Sequence, residues 1–185
     1  MKIKNISIMS KTAIDFEFPV SKQISVLCGE HSALALDLIR EVIGDHRSEN
    51  DPDSVDDGRF VVHCEIEMDD KNFNVCYIRN ADYVGDNRIA ANFIPNSFAF
   101  SEEDTEEFLA LCRKRDKDSS NAIYNGKIFS LTEDDRPLFV YLEDADEITQ
   151  VLQTLACLKR QVFVAVDSEY LELEDCESLQ VTCLG

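Results

Sequence analysis

The chain has 185 residues, 44% of them hydrophobic, enough to bury the core of one compact domain or a tight two-lobed one, which excludes a disordered tail. Eighteen Lys and Arg against 37 Asp and Glu leave a formal net charge of −19, a balance that repels phosphate backbones and anionic lipid and so disfavours direct nucleic-acid binding and membrane partners. No stretch reaches the roughly 18 apolar residues of a membrane span, and Met1 to Ile6 reads as a strand rather than a signal peptide. A cytoplasmic location is expected.

Residues 1–28 carry two strand patterns. Ile14, Phe16, Phe18 and Val20 alternate with Asp15 and Glu17, and Ile24 to Cys28 then runs apolar into Gly29, an antiparallel pair leading into a buried strand. From Ser32 to Ile43 the residues Ala35, Leu36, Ile39, Val42 and Ile43 recur at helical spacing, with Gly44 placed to end the helix. Residues 45–58 read as an exposed acidic loop. Its Asp51, Asp53, Asp56 and Asp57 do not follow the EF-hand order of calcium ligands.

Strand patterns at Arg59 to Met68 and Asn72 to Arg79, joined by Asp69-Asp70-Lys71, predict a hairpin that stands out as a solvent-facing β-arm. His63 alternates with Val62 and Cys64 and is placed on its solvent side. Asn92 to Phe100 has no clean period, and its Phe93, Ile94, Phe98 and Phe100 either pack beneath the arm or form a docking patch. Ser101-Glu-Glu-Asp104 has a capping-box-like order, and Arg113, Lys114 and Arg115 suit the far end of a helix reaching about residue 117.

Pro137 to Leu142 and Gln161 to Val166 read as buried strands on either side of a helix from about Glu147 to Lys159, with a last strand at Leu179 to Leu184. Strand, helix, strand at this length argues for a parallel α/β core. The seven cysteines, at 28, 64, 76, 112, 157, 176 and 183, form no C-x-x-C pair and have no His at ligand spacing, so they read as small, reduced core residues with no metal site.

A buried strand ending in Gly29 just before a helix is the arrangement of a phosphate-binding loop. Leu27-Cys-Gly-Glu-His-Ser-Ala-Leu-Ala-Leu-Asp-Leu-Ile39 resembles the Walker A segment of ABC-type ATPase heads of the RecF and SMC kind. Pro137 to Asp146 is similar to their Walker B stretch, and Gln161 to Leu171 to their switch segment. The resemblance implies an α/β, P-loop NTPase-like fold with an ABC-ATPase-type core, helices flanking a mainly parallel sheet, and an antiparallel β-arm subdomain. It implies a single domain over 1–185, with the arm at about 59–80 and a small helical part at about 101–118.

It also places the nucleotide-binding segment on Gly29, Glu30, His31, Ser32, Ala33, Leu34, Ala35 and Leu36. The frame survives but the chemistry does not. By the resemblance, Ala35 stands for the phosphate-binding Lys, Leu36 for the magnesium-binding hydroxyl, Leu142 for the Walker B Asp, Glu143 for the catalytic Glu and Asp167 for the switch His. Without the Lys, a charge-assisted contact of roughly 1.5–3 kcal/mol is gone, and neither Leu36 nor Leu142 can hold Mg²⁺. These departures lead to a catalytically inactive domain without metal or cofactor, acting through another protein: an active ATPase subunit, or a second copy in a homodimer. The alternative is a sensor that binds ATP or a related nucleotide, with Mg²⁺, without efficient hydrolysis. A slow NTPase with Glu143 as base ranks last, because water activation has little to act on without positioned phosphate and metal.

Overall fold

The computed structural model describes residues 1–10, 15–44, 59–80, 87–95, 99–115, 121–124, 135–168, 171–173 and 176–184. The acidic loop 45–58 falls outside them. The chain is mixed α/β, with one parallel and one antiparallel five-stranded sheet. It divides into two compact units, the first formed by Met1–Lys2, Val20–Asp37 and Lys117–Gly185, the second by Ile3–Pro19 and Leu38–Asp116.

The first unit holds the parallel sheet, in the order β10-β3-β9-β8-β7. Its strands are β3 (Ile24–Cys28), β7 (Ala122–Tyr124), β8 (Leu138–Leu142), β9 (Val162–Val166) and β10 (Leu179–Cys183). Every residue of β3, β8 and β9 is buried, which explains why, Ser25 apart, these strands do not alternate with polar residues: a parallel strand covered on both faces has no polar side. On one face Ile24, Val26, Leu138, Val140, Val162 and Val164 meet Ile148, Val151 and Leu155 of helix α3 (Ile148–Leu155). Elsewhere in the sheet Phe139 stacks on its register partner Phe163, ring centroids 5.7 Å apart. Helix α1 (Ser32–Val42) starts in this unit, and Gly44 beyond it takes the left-handed φ of +82° that ends such helices.

The second unit holds β1 (Lys2–Ser10), β2 (Asp15–Pro19), β4 (Arg59–Met68), β5 (Lys71–Asn80) and β6 (Arg88–Phe93), in the order β2-β1-β4-β5-β6. Asp69 and Asp70 turn the β4–β5 hairpin at φ of +48° and +62°, the two left-handed positions of a tight hairpin turn that Asp tolerates. The hairpin is not a solvated arm. It is the middle of the sheet, and its inner residues Phe60, Val62, Cys64, Ile66, Met68, Phe73, Val75 and Tyr77 are all buried. Strict alternation marked one face for a core, and that core is in the same unit.

Helix α2 (Glu102–Arg115) is tied to β6. The Ser101 hydroxyl accepts from Asp104 N at 3.0 Å as the cap, Thr105 Oγ1 accepts from Ala91 N at 2.9 Å, and Phe108 lies edge-on to Phe73 at 5.5 Å. Tyr77 donates to Glu41 at 2.7 Å, and burial with that carboxylate pushes its hydroxyl well above the ordinary tyrosine range. Phe93 packs on Phe73 at 4.8 Å beneath Lys71, the core alternative for this stretch. Phe100 is instead 44% exposed, and Phe98 lies outside the described residues.

The expectation of small core residues holds for Cys28, Cys64 and Cys112, which are buried, while Cys76 is half-buried and Cys157, Cys176 and Cys183 are exposed. Burial pushes the Cys64 and Cys112 thiols up to about 12, whereas hydrogen bonds from Ser178 hold the exposed Cys176 below its usual value. A raised pKa leaves a thiol protonated, so at pH 8 the buried pair are thiolate in only about one molecule in ten thousand. Brief iodoacetamide treatment of the native protein is expected to label Cys176 and leave Cys64 and Cys112 unmodified until urea is added, as read by peptide mass mapping. Equal labelling of all three would contradict the packing.

Candidate functional site

In a parallel sheet all strand C-termini lie on one edge, and α/β proteins place their ligands there. At this edge β3 ends in Gly29, whose φ of +108° is open only to glycine at low cost. A side chain is barred twice over, because Leu184 O lies 2.1 Å from where a Cβ would stand. Leu184 is held there by its own N–H, which donates to Cys28 O at 2.8 Å. The chain then turns at once: Ser32 N donates to Gly29 O at 3.0 Å, Ala35 N to His31 O at 3.0 Å, and α1 begins at Ser32.

This short turn brings the three resembling segments together. A cavity of about 260 Å³ is lined by Ser32 and Ala33 from the turn, Leu142 and Glu143 from the end of β8, Ala165 and Asp167 from β9, and Tyr124 and Tyr141. Of the eight residues assigned to nucleotide binding, only Ser32 and Ala33 reach it. Ser32 directs its hydroxyl to Val166 O at 3.0 Å and is buried. Glu30 is exposed, His31 and Leu34 are half-buried, and Ala35 and Leu36 are wholly in the core.

The acids Glu143 and Asp167 stand exposed at the rim. Asp144 is engaged as a cap, accepting from Asp146 N at 2.9 Å at the start of a 3₁₀ turn (Ala145–Glu147). The aromatic wall was not apparent from the motifs. Tyr124 stacks on Tyr141 at 4.8 Å and 14°, and the buried Tyr141 hydroxyl donates to Asp37 of α1 at 2.6 Å. A tyrosine inside an otherwise apolar buried strand, and an Asp among the core positions of α1, are the signal: each polar group needs a partner indoors.

None of the described lining residues is basic. At the other edge of the sheet Met1, Lys2, Lys22, Lys159 and Arg160 line a cavity of about 480 Å³ with Asp135 as its acid. The residues present do not fit a magnesium-bound triphosphate: the positions for the Lys and the metal-binding hydroxyl are core Ala35 and Leu36, Leu142 offers no oxygen, and the turn's own hydroxyl is engaged by Val166. Among the described residues no three His, Cys, Asp or Glu converge as a metal site, and no helix is long and apolar enough to cross a membrane.

No family model matches the chain, nor does any curated protein. Among solved structures, the chain is similar to the SMC head domain from Thermotoga maritima, at 10% identity and a TM-score of 0.49 over 91% of this chain and 90% of that one.

The Gly29 turn is testable by itself. Gly29→Ala places a methyl group against Leu184 O in a left-handed conformation, a strain of about 2 kcal/mol or more, and is expected to lower the melting temperature by about 4–8 °C. An unchanged melt would mean that the turn is not built this way.

Proposed function

We propose that the chain is a P-loop, ABC-ATPase-like domain that neither binds nor hydrolyses nucleotide in the manner of an active head and works through contacts with another protein, as partner or regulator of a genuine ATPase. The observation that carries this reading is the fate of the turn's polar groups. The Ser32 hydroxyl is hydrogen-bonded to Val166 O, and Ala35 and Leu36, in the places of the Lys and the metal-binding hydroxyl, are apolar and buried. The cavity then presents Glu143 and Asp167 to any ligand, and two carboxylates with no basic group among the described lining residues repel a triphosphate. A fold kept while its chemistry is replaced by core packing serves as a surface.

One observation favours the sensor reading. The Tyr124–Tyr141 stack, with Tyr124 49% exposed, is a platform on which a nucleobase could lie without help from a phosphate-binding loop.

A thermal melt separates the two readings. A ligand that binds the folded state stabilises it by about 2.7 kcal/mol at a hundredfold excess over Kd. With millimolar Mg-ATP, Mg-GTP or EDTA, no change in melting temperature is expected. A rise with nucleotide that Ala33→Glu removes, by adding a third carboxylate to the cavity, would replace the silent domain with a sensor.

A further inference from the structure

Two cysteines of the first unit stand side by side on the parallel sheet. Register pairs Cys183 of β10 with Cys28 of β3, and residues in register on parallel strands point to the same face. Neighbouring strands lie about 4.8 Å apart, inside the window of roughly 4.4–6.8 Å between Cα atoms that a disulfide bridges. The two thiols are in contact, with 2.6 Å between the sulfurs. Cys64 and Cys76, also on neighbouring strands, lack this geometry. Cys64 stands opposite Val75 and Cys76 opposite His63, so alternation sends their side chains to opposite faces of the antiparallel sheet.

Access divides the pair. Cys28 is wholly buried, whereas Cys183 is exposed on a strand at the edge of the sheet. Burial, and then the Cys183 sulfur beside it, push the Cys28 thiol up to about 12, so at neutral pH it stays protonated and does not react first. A reagent from solvent meets Cys183, and Cys28 needs only to reach the sulfur that it already touches.

We propose that Cys28 and Cys183 are a redox-active pair, closed to a disulfide by exchange with the disulfide of a small thiol and reopened by excess thiol. Cys183 gives up its proton and its thiolate attacks one sulfur of the small disulfide. The departing thiolate takes up that proton, and a mixed disulfide remains on Cys183. The Cys28 sulfur then attacks the Cys183 sulfur, and the second small thiolate leaves with the Cys28 proton. Two protein thiols have together lost two electrons and two protons, and one small disulfide has become two thiols. The new bond lies one residue from where Leu184 N donates to Cys28 O and Leu184 O lies against Gly29. Oxidation is a latch that ties the edge strand β10 to the strand carrying the Gly29 turn.

Exchange of the full chain with millimolar oxidised glutathione tests it, quenched with acid and N-ethylmaleimide and read by peptide mass mapping without reduction. A linked pair of peptides holding Cys28 and Cys183 is expected, returned to thiols by excess reduced glutathione. The linked chain is expected to melt about 5 °C or more above the reduced one. Cys183→Ser, at an exposed position and so compatible with folding, is expected to abolish both the link and the rise. Cys28→Ala is expected to stop the exchange with one glutathione held on Cys183, and Cys176→Ser to leave the link unchanged. No linked pair at any ratio of oxidised to reduced glutathione, a Cys28 link that survives Cys183→Ser, or a link that leaves the melt unchanged would overturn the proposal.

Discussion

The first unit depends on a glycine. Because Gly29 turns left-handed at the end of β3, the chain passes from the middle of the parallel sheet into α1 within three residues, and the close approach of Leu184 O leaves no room for any other side chain. The same contact fixes β10 beside β3, since Leu184 N donates back to Cys28 O. Ser32 then arrives where its hydroxyl meets Val166 O, which draws the start of the helix to the end of β9. One backbone conformation therefore assembles the cavity.

Charge divides the unit in the opposite sense to a phosphate site. Glu143 and Asp167 stand at the C-terminal edge of the sheet, and Lys2, Lys22, Lys159 and Arg160 at the N-terminal edge. In a chain of net charge −19 basic groups are few, and among the described residues of this unit none lines the cavity at the C-terminal edge. The Tyr141–Asp37 hydrogen bond serves packing instead: it pins α1 to β8 through groups that are otherwise unsuited to the interior.

Much of the fold was legible in the sequence, for reasons particular to each element. β3, β8 and β9 are largely apolar runs because these parallel strands are buried on both faces, whereas β10 at the sheet edge keeps Gln180 and Thr182. α1 and α2 carry their periodicity and ends openly, and the strand pairs around them alternate. What stayed hidden had weak local signals. In β6, Arg-Ile-Ala-Ala-Asn-Phe shows no alternation because its outward Asn92 is covered as completely as its inward Ala91. β7 is three residues long, below any period, and α3 stops at Leu155, four residues short of the expected Lys159, where the burial of every third or fourth residue ends. The alternation in β4 and β5 reads equally well as an arm, because sequence shows that a face is apolar and not what covers it. At the site, motif order found the segments that meet, while the tyrosine wall and the ties of Ser32 and Asp37 came only with three-dimensional partners.

The most direct measurement is the backbone amide spectrum of the ¹⁵N-labelled chain, recorded as Mg-ATP is raised to millimolar concentration. The amides of Gly29, Glu30, His31, Ser32 and Ala33 are the groups that any phosphate at this helix start would have to touch. They are expected to keep their positions throughout the titration. Saturable movement of these amides would show that the turn opens to phosphate and would contradict the account of a closed, chemically silent site.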